Sequence, residues 1–338
     1  MKHKILTFIM LVVVITTINS AAELKFKGFV QTWFSYAQQE QGEKDSVYGV
    51  TFRRIRFTPY GTLSKNISWT LQFGWDKFTA QIIDAYIDFK ISKELNFRIG
   101  HYTVPGAMSS TLTSSSKMDL IERPQITQNW NSNSGLSSYR TIGIQASGKL
   151  LNDKLYYAVM LANAKASSIF TPSVKSSDYT NTQYGLTLWT RLETYPVEGL
   201  SLGAFFGTGK ETDTEMERSS YGGHLYFVKK GINFKVEYIG GKLGRDNGEI
   251  KYNGMFVHLG YKIKKIEPIA RYDFYTPVTG DFDSAGVKKY NNVTLGINYF
   301  HNDNVKFQAN YVIRDESMAA GLEKIKNNLF YVCLQYSY

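Results

Sequence analysis

Arg53, Arg54 and Arg56 stand almost side by side, the densest basic cluster in the chain. A guanidinium presents a planar fork that fits two oxygens of a phosphate or carboxylate, whereas a lysine acts as a mobile point charge. Further along, Lys90, Arg98, Lys149, Lys154, Arg191, Lys235, Lys262, Arg271, Lys306 and Arg314 occupy one parity of segments whose other parity is apolar. Asp76, Asp84, Asp88, Glu193, Glu237 and Asp273 share the charged parity, so basic side chains outnumber acidic ones there by about two to one. Such a face can attract anions. It can equally consist of mutually compensating Arg–Asp pairs, and the residues leave both readings open. Lys117, Arg123 and Arg140 add positive charge in or beside one long connection, 104–138.

Other chemistry is scarce. No H-E-x-x-H or G-x-S-x-G occurs. The G-T-G-K at 207–210 lacks the earlier glycine and the Ser/Thr of a phosphate-binding loop. The single cysteine, Cys333, permits neither an internal disulfide nor a cysteine metal cluster. An enzyme, a metal site and a cofactor are therefore not expected. The formal charge of +10 points to an anionic partner: nucleic acid, lipid headgroups or small anions.

The elements that must position these charges have a period of two. Ile67, Trp69, Leu71, Phe73 and Trp75 alternate with Ser68, Thr70, Gln72, Gly74 and Asp76. Ile83, Ala85, Ile87, Phe89 and Ile91 alternate with Asp84, Tyr86, Asp88 and Lys90. A helix would mix the two classes on one side, so these are strands. Strands are expected over 24–38, 48–62, 66–76, 81–91, 95–103, 139–150, 154–162, 183–194, 199–209, 218–228, 232–242, 252–262, 266–276, 290–300, 304–314 and 326–338, about 16 in all and an even number. No convincing amphipathic helix is found. Phe52, Ile55 and Phe57 share one face only if the strand slips by a residue near 53–54, as a β-bulge allows. The last run ends on Tyr338, and Cys333 falls on its polar face.

Connections alternate in length. Short turns at Ser64–Lys65, Ser92–Glu94, Asn152–Asp153, Pro196–Glu198, Lys229–Gly231, Lys264–Lys265 and His301–Asp303 separate longer segments, and only 77–80 breaks the rule. Long on one side and short on the other is the signature of a transmembrane antiparallel up-and-down β-barrel. Aromatic residues make up 15% of the chain, again as such barrels require. Arg or Lys facing lipid would cost roughly 2–4 kcal/mol at the midplane, so the charged parity faces the lumen. The longer loops are more acidic: Glu40, Glu43 and Asp45 outweigh Lys44, and Glu211, Asp213, Glu215 and Glu217 outweigh Lys210 and Arg218.

Residues 1–22 read as a signal peptide. Lys2 and Lys4 precede an apolar stretch, Ile5 to Ile15, too short to span a bilayer as a helix, and Ser20 and Ala22 suit a cleavage before Glu23. Residues 23–338 are then one barrel in the bacterial outer membrane, which sets nucleic acid aside as a partner. The 104–138 connection is long enough to be functional, and its expected role is to fold inward as a constriction. The main reading is a passive pore favouring small anions. The alternative is a structural or adhesive barrel whose outer loops bind a partner.

The chain also resembles a known family. F-R-R-I-R-F-T-P-Y-G-T-L (52–63), G-H-Y-T-V-P-G (100–106) and I-E-R-P (121–124) are similar to the second strand and the constriction-loop passage of the phosphate-selective porin O and P family. The resemblance implies a 16-stranded, trimeric, anion-selective barrel embedded in outer-membrane lipid, with phosphate among its solutes. It also implies pore or loop positions for Arg54, Arg56, Arg123 and Arg140.

Overall fold

The computed structural model describes residues 23–38, 46–76, 79–134, 140–163, 186–210, 217–245, 248–277, 286–322 and 327–338. The expected signal peptide, and the acidic loop residues at 40–45 and 211–215, lie outside the described residues.

Alternating segments pair into a closed barrel of sixteen antiparallel strands. In chain order they are β1 (Leu24–Ala37), β2 (Val47–Ser64), β3 (Ile67–Asp76), β4 (Thr79–Lys90), β5 (Asn96–Thr103), β6 (Arg140–Leu150), β7 (Leu155–Asn163) and β8 (Leu186–Thr194). There follow β9 (Leu200–Lys210), β10 (Glu217–Lys229), β11 (Ile232–Arg245), β12 (Gly248–Tyr261), β13 (Ile266–Thr276), β14 (Val287–Phe300), β15 (Val305–Met318) and β16 (Leu329–Ser337). Each strand pairs with its sequence neighbours, and β16 closes on β1. The seam ends on Tyr338, whose N–H and carbonyl exchange hydrogen bonds of 3.1 Å with Gly28. Closure leaves no unpaired edge, as a lipid-embedded backbone requires.

The burial pattern is inverted relative to a soluble protein. On β15 and β16, Lys306, Gln308, Asn310 and Gln335 are buried, while Phe307, Tyr311, Leu334 and Tyr336 are exposed on the outer face. Cys333 is buried on the inward side, level with Trp33. Short turns use left-handed backbone where the hairpin twist demands it: Lys230 and Gly231 have φ of 51° and 85°.

A β-bulge does occur at the arginine cluster. Gln31 pairs with Arg54 and Thr32 with Phe52, so Arg53 is the extra residue. A second bulge was not expected. Gln72 pairs with Asp84 and Phe73 with Ile82, which leaves Ile83 unpaired. The extra residue turns Ile83 inward, against the expectation of an outward position, and it is buried.

Two other expectations are corrected. A helix is present after all: Gln125–Ser134 forms α1, preceded by single helical turns at Met108–Leu112 and Ser115–Lys117. Its apolar side is narrow, so the sequence pattern was weak. The inward face is also not uniformly polar. Met160, Trp189, Phe205 and Ile239 point inward and pack with Val104, Ala107 and Ile126 of the 104–138 segment.

Candidate functional site

The site is built by residues 104–134 and the inward faces they meet. Between strands, a chain segment must find partners for its backbone groups. Here the barrel wall supplies them. Glu237 on β11 accepts hydrogen bonds from the N–H groups of Met108 and Ser109, at 2.5 and 2.9 Å. Asp273 on β13 accepts the Gln125 N–H at 2.8 Å, placing a carboxylate at the positive end of α1. Asn310 on β15 accepts the Ile121 N–H at 2.7 Å.

The segment's carbonyls are matched in the same way. Arg191 on β8 donates to the Gly106 carbonyl at 2.6 Å, and Arg271 on β13 to that of Glu122 at 2.9 Å. Gln31 on β1 and Gln335 on β16 donate to Ser115 and Ser116, at 3.1 and 3.0 Å. Lys306 on β15 donates to Met118 at 2.9 Å, and Asn298 on β14 to Asp119 at 2.8 Å. Close approach is helped by missing side chains on the wall. A Cβ on Gly254 would stand 2.6 Å from the Ile126 Cβ, and one on Gly296 would collide with Leu120.

Two loop carboxylates complete the docking. Glu122 accepts from Arg53 Nε at 2.7 Å and lies 3.6 Å from Arg54. Asp119 meets Lys235 at 2.5 Å and accepts from Asn233 at 2.9 Å. Burial works against both charged forms, but Arg54 and Arg53 outweigh it for Glu122, and Lys235 and His258 for Asp119. Both stay below the usual carboxylate range.

The arginines expected to line the pore are brought into pairs rather than left as a free ladder. Arg56 forks onto Asp76 at 2.6 and 2.7 Å. Arg98 forks onto Asp88 at 2.8 and 2.9 Å and lies 4.0 Å from the Tyr86 ring centre. Arg140 reaches Asp84 at 3.0 Å, Arg191 reaches Glu193 at 2.9 Å, Arg271 reaches Asp273 at 3.0 Å and Arg314 reaches Glu316 at 3.1 Å. Arg54 is buried beside Gln31 and Glu122. Arg123 donates to the carbonyls of Ser109 and Thr113, within the segment itself.

The lysines are placed differently. Lys90 and Lys149 lie on β4 and β6 and are exposed near their short-turn ends, whereas Lys154 and Lys262 fall just outside the strands, which corrects the expected place of those two along the strand faces. Lys117 is exposed at the lower edge of the segment. Together with Lys262, Lys264, Lys265 and Lys306 it lines a cavity of about 440 Å³ at the short-turn mouth. Sequence reasoning missed Asp119 and Glu122 as anchors. They lie in a loop without periodicity, so nothing marked which way they would point.

Water reaches the wall unevenly. Under the docked segment, the side chains of Arg191 and Glu193 are 0% and 3% exposed, and those of Arg271 and Asp273 8% and 0%. On β4, β5 and β6, Arg98 and Asp88 are 29% and 19% exposed, and Arg140 and Asp84 27% and 17%. The open side of the lumen is therefore the wall around β3–β6.

Among solved structures, an anion-selective porin from Comamonas acidovorans is similar at 14% identity and TM-score 0.69, covering 94% of this chain and 100% of that one. The outer membrane channel DcaP of Acinetobacter baumannii is similar at 13% identity and TM-score 0.64, covering 95% and 99%. The trimer form of OmpT, an outer membrane protein of Vibrio cholerae, is similar at 14% identity and TM-score 0.64, covering 94% and 100%. At such identities the likeness concerns the fold. Comparison with curated proteins found no match. The model of the family described as phosphate-selective porin O and P matches residues 25–338. With nearly the whole barrel matched, the chain belongs to that family of outer-membrane porins, which are channels and not enzymes.

Proposed function

We propose that this porin is a passive diffusion channel for small solutes, narrowed by residues 104–134, with a preference for anions that is set at its short-turn mouth. The observation that carries this reading is the placement of charge. Wall arginines are matched by carboxylates, whereas around one mouth cavity Lys117, Lys262, Lys264, Lys265 and Lys306 outnumber Asp119, Glu267 and Asp303. An excess of positive charge raises the local concentration of anions and favours their passage. Phosphate is one such anion. An arginine whose charge is already balanced by a bidentate carboxylate exerts little net pull on a further anion, so phosphate binding here is weak and shared with other anions.

The exposed outer face of Phe307, Tyr311, Leu334 and Tyr336 meets outer-membrane lipid, and part of such a face is covered by two further copies in a homotrimer. Support for the trimer comes from the trimer form of the similar OmpT. Removal of residues 1–22 as a signal peptide precedes assembly.

Planar-bilayer recording tests the channel. Purified protein should give ion current, and a salt gradient should give a reversal potential on the anion side. No current removes the channel reading, and a cation-side potential removes the anion preference. Phosphate should reduce chloride current only slightly at millimolar concentration.

A further inference from the structure

Along the open wall the charges form a ladder of neutral, dipolar rungs. Asp84 and Asp88 lie four residues apart on β4, and Asp76 lies four residues from Gln72, which is paired with Asp84. At about 3.3 Å per residue, the carboxylates follow one another at about 13 Å along the strands. Each is held by an arginine from another strand: Arg56 for Asp76, Arg140 for Asp84 and Arg98 for Asp88. At the lowest rung the guanidinium also lies 4.0 Å from the Tyr86 ring centre and 5.3 Å from that of Tyr102. Stacking of this kind fixes the position of the cation.

We propose that this wall is a track for dipolar solutes that carry one ammonium and one carboxylate group, such as a small free amino acid. The idea rests on the channel reading above and concerns its substrate class. A lone anion approaching a rung is attracted by the arginine and repelled by the aspartate a few ångströms away. A lone cation meets the same cancellation with the signs reversed. A zwitterion lying antiparallel to the rung satisfies both charges at once. It can then pass from rung to rung without leaving an ion pair unmatched. The partial exposure of Arg98–Asp88 and Arg140–Asp84 keeps those two rungs accessible, in contrast to the sealed Arg191–Glu193 and Arg271–Asp273 pairs; at the third rung Asp76 is 30% exposed while Arg56 is only 8% exposed.

The test uses two isomers of equal mass. Liposomes containing the full mature protein are swollen in isosmotic alanine or in isosmotic lactamide, its uncharged isomer, with protein-free liposomes subtracted. The wild type should admit alanine faster than lactamide. The double variant Asp84→Asn, Asp88→Asn should lose that advantage. In bilayers its anion-to-cation permeability ratio should rise at least about sevenfold, since losing one negative charge about 7 Å away in water favours an anion by a Boltzmann factor of about 2.7 and disfavours a cation by the same factor. The charge-exchanged pair Arg98→Asp, Asp88→Arg keeps a neutral rung and should restore the alanine advantage lost by Asp88→Asn. A conducting wild-type channel with equal rates for the two isomers overturns the inference alone. Absence of both solute influx and ion current overturns the channel reading, and the inference with it.

Discussion

Glu122 accepts a hydrogen bond from Arg53 Nε at 2.7 Å, and Arg53 is the residue skipped by the β1–β2 register. Without the bulge, alternation would send Arg53 to the lipid side, since Arg54 and Arg56 already face inward. One extra residue therefore gives the lumen a third guanidinium at this level and gives Glu122 a two-arginine clamp. Replacing Glu122 by Gln should loosen the 104–134 segment by about 1.5–3 kcal/mol, the usual worth of a charged hydrogen bond. Single-channel recording should show larger, noisier conductance. A current trace indistinguishable from wild type would show that the clamp does not hold the constriction.

Acid should do the same to the unaltered protein. Glu122 and Asp119 have carboxyl groups held below their usual range in the folded chain. A depressed value means that the stabilisation is fully present above the unfolded value and is lost as pH falls through the folded one. The docking contribution is thus constant at neutral pH and fades below about pH 4. Conductance should rise reversibly as acidification passes below the ordinary carboxylate range and through the lowered folded values. The rise should be smaller in Glu122→Gln, which has already lost one of the two titrating groups.

Glu237 supplies a different anchor. Its two oxygens take the N–H groups of Met108 and Ser109 at the entrance of the segment, and the residue is 1% exposed. A glutamine has one acceptor oxygen and an unwanted NH2 group there. Glu237→Gln should cost about 1–3 kcal/mol of docking free energy, and proteolysis of folded protein in detergent should gain a cleavage site within 104–134. Continued resistance would mean that the apolar contacts alone hold the segment.

Most of the frame could be read from residues, and the reasons for the rest are specific. Alternation at 67–76 and Tyr338 at the end located strands because lipid outside and water inside impose opposite chemistry on successive residues. The bulge at Arg53 was legible because three apolar neighbours needed a common face. The bulge at Ile83 was not, because Ile83 fits an unbroken alternation with Ala85 and Ile87. The pairing of arginines was left open because parity assigns a face but not a partner. Arg140 and Asp84 are 56 positions apart and meet only once the barrel closes.

The apolar patch inside the lumen predicts a stability effect on the inward side. Trp189 is 0% exposed, stacks at 6.5 Å on Phe205 and lies over Gly207, where a Cβ would collide with its ring. Removing a buried aromatic of this size usually costs about 3–5 kcal/mol. Trp189→Ala should lower the unfolding midpoint in denaturant by a corresponding amount, while Leu192→Ala, on the exposed outer face, should change it far less in detergent. Equal effects would mean that the inner patch is not packed.

The short-turn mouth should show its charge in a salt-dependent way. Lys262 lies 4.3 Å from the Phe300 ring centre, and Lys117 stands exposed on the opposite lip of the same cavity. Among the described residues neither has a carboxylate fixed upon it in the way Arg56 and Arg98 have, so each contributes a net charge to solutes entering from that side. The Debye length is about 30 Å at 0.01 M salt and about 3 Å at 1 M. The double variant Lys117→Gln, Lys262→Gln should therefore lower the anion-to-cation permeability ratio clearly at 0.01 M and hardly at all at 1 M. Neutralising Arg56 instead would leave Asp76 uncompensated and shift the ratio the same way at both concentrations, because that pair sits against the wall, where screening is weaker. A ratio that ignores the two lysines at low salt would place the anion preference elsewhere in the barrel.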